Sequence, residues 1–152
     1  MRNKIITARG LALGAVVAML GLIAFLPAPR AAEFPREGVT GIANGVAEPF
    51  AGSWWVGFPE GEGMINGDPV VRCERPVVLR IIDEVNLLYA SPSGTTVQFE
   101  LHELSGRTTW YPPSGESSIA VWTGPDEFFA YSVDLMTGSA RWTTPLVYRR
   151  CD

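Results

Sequence analysis

The stretch TVQFELHEL, residues 96–104, holds the single histidine of the chain, His102, with Glu100 two residues before it and Glu103 beside it. Residues two apart on a strand share a face, so Glu100 and His102 with a third donor would suit a metal ion. An imidazole beside a carboxylate also has the makings of a general base. Neither chemistry finds its remaining parts. A serine nucleophile needs a histidine that a third group orients, and no serine here lies in a nucleophile elbow. Val97, Phe99 and Leu101 point one way along this stretch and Gln98, Glu100 and His102 the other, which puts the imidazole on a wet face. Asp83-Glu84, Asp126-Glu127 and the acids of PEGEG fall among turn residues, where carboxylates are solvated. No catalytic residue, metal ligand or cofactor is assigned, and a non-catalytic protein is expected.

Two cysteines, Cys73 and Cys151, are too few for a structural zinc site and lack the CxxC spacing of a redox motif. Their chemistry depends on compartment. Arg2, Lys4 and Arg9 precede the uncharged run GLALGAVVAMLGLIAFLPA, which reads as an export signal over residues 1–32. The run is long for such a signal, so an uncleaved membrane anchor is the alternative. Lysine is nearly absent while Arg, Ala, Gly and Pro are plentiful, as in GC-rich bacteria, where export leads to the periplasm or the medium. In that oxidising setting one disulfide, Cys73 to Cys151, is expected.

The signal carries four of the 12 basic residues and none of the 16 acidic ones, so eight bases remain against sixteen acids and the exported part is near −8. Such a field repels phosphate backbones and anionic lipid, which excludes nucleic acid, and a membrane is expected only if the leader is uncleaved. About 120 residues make one domain with a working core.

Residues 33–50, EFPREGVTGIANGVAEPF, show no strand or helix period and several Gly and Pro breakers, which predicts a flexible N-terminal arm. From residue 51 to 152 short runs of period two alternate with turn residues. Strands are predicted at 53–58, 76–83, 85–90, 96–104, 107–111, 117–123, 127–135 and 140–151, separated by SPSG, SG, PPSG, GPD and MTG. The fold class is therefore all-β: an antiparallel meander of about eight strands, which avoids open edges by closing into a small barrel.

Gly52-Ser53-Trp54 resembles the G-x-W that opens the first strand of lipocalins and their calycin relatives, the avidins among them. The resemblance implies structural roles for Gly52 and Trp54. It also implies that an arginine of the last strand, Arg149 or Arg150, packs across the indole at the closed end of the barrel. Ala51-Gly52-Ser53-Trp54 is also similar to the A-G-x-W start of bacterial metalloprotease inhibitors, exported barrels whose N-terminal arm enters the protease cleft. Their cysteines lie close together, whereas Cys73 and Cys151 span most of this domain.

An eight-stranded barrel is filled by side chains or holds one small ligand. Alternation points Trp54, Phe58, Phe99, Phe129, Tyr131 and one of Trp110 or Tyr111 inward, which favours a packed interior. It points Trp122 and Phe128 outward beside the GPD turn, with Trp55 also outward, and clustered exposed aromatics mark a ligand mouth or an interface. The alternative for this cluster is a second small core under the arm or the long loop. The function expected is binding of a small apolar or aromatic ligand by Trp122, Phe128 and Trp55. The other expectation is binding of a secreted or periplasmic protein, such as a protease, through residues 33–50.

Overall fold

The structure, a computed structural model, describes residues 33–59, 64–65, 68–69 and 71–152. The leader expected over residues 1–32 lies outside the described residues. Ten strands follow in order: β1 (Gly52–Gly57), β2 (Met64–Ile65), β3 (Asp68–Pro69), β4 (Val77–Ile81), β5 (Asn86–Ala90), β6 (Thr96–Leu104), β7 (Arg107–Tyr111), β8 (Ser118–Gly124), β9 (Glu127–Ser132) and β10 (Leu146–Arg150). Eight of them close into an antiparallel barrel in the order β1-β10-β9-β8-β7-β6-β5-β4, and β2 and β3 form a small hairpin of their own within the long connection after β1. Each barrel strand pairs with its successor, and β1 completes the circle by pairing with both β4 and β10.

Local chemistry sets the hairpins. Ser105 and Gly106 both have positive φ, 54° and 72°, the backbone of a two-residue turn whose twist matches the strands it joins. Between β4 and β5 the Asp83 carboxylate accepts bonds from the amides of Val85 and Asn86 and from the Asn86 side chain. Those donors, the Asn86 side chain foremost, hold its carboxyl below the usual range.

Strand register determines what fills the interior. Val56, Tyr148, Phe128 and Trp122 sit opposite one another across β1, β10, β9 and β8, and all four are buried in the core. Trp54, Leu79, Leu87, Leu101 and Trp110 join them from the other strands. Phe58 and Phe99 pack against this core while partly buried, and of the Trp110 and Tyr111 pair it is Trp110 that turns inward.

Two expectations need correction. Phe129 and Tyr131 do not enter the barrel; on β9 the inward residues are Phe128 and Ala130, and on β8 they are Ala120 and Trp122. Both faces of these strands carry large apolar residues, so alternation separates two faces without saying which one is inside. The outer face is apolar because it too is covered, by residues 33–39 and by Trp142 from the β9–β10 connection: Phe34 packs on Phe129, and Tyr131 packs on Trp142.

The second correction concerns residues 33–50, which are fixed to the barrel and form no free arm. The Tyr131 hydroxyl donates to the Pro35 carbonyl, the Val39 amide to Trp122 O and the Ala47 amide to Glu84 O. The Asn44 side chain donates to Gly106 O, and the Gly45 amide donates to the Thr108 hydroxyl. The segment then makes a short 3-10 turn, Glu48–Phe50, that drives Phe50 into the end of the barrel, where it is fully buried. Phe50 meets Trp122 at 4.7 Å, Trp110 at 5.1 Å and Phe128 at 5.2 Å between ring centroids, and its carbonyl accepts from Trp54 Nε1. A segment without periodicity thus serves as a strap along the outside and a plug at one end.

Cys73 and Cys151 form the disulfide, 78 residues apart. One half precedes β4 and the other follows β10, the two strands that flank β1, so the bond spans the seam where the barrel closes. Replacing both cysteines by serine should lower unfolding free energy by up to about 4–5 kcal/mol through the freed loop entropy. Denaturant unfolding of the two forms should show a lower midpoint for the variant, and equal midpoints would contradict this role for the bond.

Candidate functional site

At the plugged end, Arg150 lies across Trp54 with its guanidinium carbon 4.4 Å from the ring centroid. The same guanidinium donates to the carbonyls of Ala51 and Pro49 and pairs with Asp126. Gly52 makes room for it: with φ at 142°, a Cβ here would stand 2.6 Å from Arg150 Nη1. Arg149 faces outward and covers Trp55 at 5.1 Å. It also bonds Glu127, and with help from the Thr123 hydroxyl it holds that carboxyl below its usual range against the effect of partial burial. Trp55 is outward and partly buried, lying so close over Gly57 that a Cβ there would come within 2.5 Å of the indole. Its surroundings are thus already occupied by Gly57 and Arg149.

Trp122 and Phe128, expected on the surface, are 2 % and 0 % exposed. Phe128 stacks on Tyr148 at 4.5 Å and contacts Trp54, Trp110 and Trp122, which makes it the hub of the interior. No free aromatic mouth exists at these two residues, and the structure does not bring them together with Trp55. His102 bonds Glu100 at 3.0 Å and meets the Tyr111 ring edge-on, all of it exposed. Among the described residues no group of three His, Cys, Asp or Glu is placed to hold a metal ion.

One open feature among the described residues lies outside the barrel. Where the strap passes the β6–β7 turn, a cleft of about 430 Å³ is bounded by residues 37–42 and Asn44 on one side and Ser105, Gly106 and Arg107 on the other. Its two walls are tied below by Asn44, which donates to Gly106 O and accepts from the Thr108 hydroxyl. Arg107 reaches it from the outer face of β7, and its guanidinium sits 5.3 Å from the centroid of Trp142, with Arg36 on the same ring at 5.6 Å. Glu37 is the one acidic residue of its lining. None of these residues stood out in the sequence. EFPREGV reads as a polar breaker-rich segment, and the arginine after SG reads as ordinary strand-edge charge.

No protein-family model matches the chain, and no match was found among curated proteins or solved structures.

Two outcomes follow from this geometry. Phe128→Ala should cost about 3–5 kcal/mol in urea unfolding, as loss of a large core ring does, whereas a surface ligand contact would leave stability unchanged. Burial pushes the Tyr131 hydroxyl from 10.0 up to about 12, against the pull of the Arg36 charge. The folded state therefore keeps a proton that the unfolded chain loses above pH 10. The stability this residue contributes is full below that pH and falls as pH rises toward 12. Thermal melts across this window should show a shallower decline for Tyr131→Phe than for the parent, and parallel curves would count against the strap contact.

Proposed function

We propose that this protein is an exported, non-catalytic binding module that takes its ligand on the outside of a solid calycin-like barrel, at the cleft between the strap and the β6–β7 turn. The observation that carries this is where space is and is not. Phe50, Trp54, Trp110, Trp122, Phe128 and Tyr148 fill the barrel axis with ring-to-ring contacts. The cleft is open and of a volume suited to a small molecule, with polar side chains on both walls. Gly52-Ser53-Trp54 with Arg150 across the indole supports the calycin likeness, and the apolar leader with the formed disulfide supports an exported location.

A protein partner is the second reading. It moves away from residues 33–50, which are held by the barrel, to the tip of the β9–β10 connection, where Leu135 is 66 % and Met136 93 % exposed. The tip is tied by local bonds: Asp134 accepts from the amides of Met136 and Thr137 and pairs with Arg141.

Nitrogen-labelled protein recovered from the producing cell, before and after removal of any carried ligand by partial denaturation and refolding, tests both. Amide shifts confined to residues 37–44 and 105–107 are expected. Shifts of the Trp54, Trp110 and Trp122 indoles would move the ligand into the barrel and overturn the exterior site, and a co-purifying protein that shifts 135–136 would establish the second reading instead.

A further inference from the structure

Arg107 and Glu37 line the same cleft, yet they make no ion pair with each other or with any other described residue. The contact of Arg107 with the Trp142 ring uses its positive charge and fixes where the guanidinium lies, while its N–H donors are left without an acceptor among the described residues. The carboxylate of Glu37 likewise accepts no hydrogen bond from the described residues. Arg141 is matched with Glu116 and Asp134, Arg149 with Glu127 and Arg150 with Asp126, whereas Arg36, Arg72, Arg75 and Arg80, like Arg107, make no ion pair among the described residues. What sets Arg107 apart is its place: it lines one 430 Å³ cleft together with the unmatched Glu37, and a charge of each sign in one lining is complementary to a ligand that carries both.

We infer that the cleft binds a zwitterion of the amino acid or short peptide class, its carboxylate on Arg107 and its ammonium on Glu37. This rests on the cleft being the binding site, as proposed above. Other ligand classes fit less well. A simple anion would meet Glu37 at close range, and a simple cation would meet Arg107. A polyanion would enter the field of a domain with sixteen acids against eight bases after residue 32. An apolar ligand would desolvate both charges without pairing either. A carboxylate matches the planar fork of arginine, and charge-assisted bonds at both ends give a short ligand a fixed direction in the cleft. Gly41 and Gly106 in the walls carry no side chain and have open space where a Cβ would stand, so the backbone of such a ligand can approach the backbone of the protein closely there.

Three probes separate the charges: glycylglycine, its N-acetyl form and its C-terminal amide, each titrated into labelled protein while the amides of Gly38, Gly41 and Gly106 are followed. Glycylglycine should shift these resonances saturably, and each blocked form should bind at least about tenfold more weakly. Glu37→Gln, at an exposed position, should bring glycylglycine down to the affinity of the acetyl form for the parent protein, and Arg107→Lys should weaken it severalfold. If all three probes saturate the cleft equally, the zwitterion assignment is overturned while the cleft remains a binding site. If glycylglycine at saturating millimolar concentration moves nothing in the cleft, the assignment is overturned as well. A ligand recovered from the cell that shifts resonances outside 37–44 and 105–107 would instead overturn the siting of the cleft itself.

Discussion

Arg150 holds the beginning and the end of the barrel together. Its guanidinium lies on Trp54 of the first strand, donates to the carbonyls on either side of Phe50 and pairs with Asp126 in the β8–β9 turn. A buried aromatic cluster can fill an eight-stranded barrel, but it does not by itself satisfy the carbonyls where the chain folds over the end. A long cation with several donors does so while also covering an indole. With that knot in place, Phe50 is held at the centre of the aromatic cluster and the segment leading to it is drawn along the outside wall.

Eight strands, the closure and the disulfide were legible in the chain, because turn residues and period-two alternation report directly on backbone geometry, but the last strand, expected over 140–151, spans only Leu146–Arg150. TVQFELHEL shows this best: in β6 Leu101 is buried while Gln98, Glu100 and His102 are exposed. The alternation failed at SIAVWTG and EFFAYS, where both faces are apolar and small residues, Ala120 and Ala130, sit among the inward ones. A register irregularity between Trp122 and Gly124 blurs the pattern further. The strap was illegible for a different reason. Lack of period excludes regular structure, but it says nothing about tertiary contact, and single anchors such as Phe34, Pro35, Asn44 and Phe50 leave no repeating trace.

The candidate site was hidden by the same mechanism. Arg107 and Glu37 are 70 residues apart in sequence, and they meet at one cleft only because the strap runs past the β6–β7 turn. Nothing local to either residue announces the other. What was visible, a rich store of aromatic residues, turned out to belong to the interior and to the covered outer face, where it supplies rigidity for whatever the surface displays. Trp142 links the two roles, packing against Tyr131 on one hand and carrying Arg107 on the other.

Closure of the barrel by β1 against β10 also sets a timetable. The first barrel strand has only β4 to pair with until β10 is made, and the plug cannot be tied down until Arg150 exists. Contacts of such long sequence separation form late and slowly. A growing chain therefore has no closed subset of strands in which to settle early and stays open while synthesis proceeds. The Cys73–Cys151 bond follows the same order: it can close only once Cys151 has been made, with an external oxidant taking the two electrons that the pair of thiols gives up.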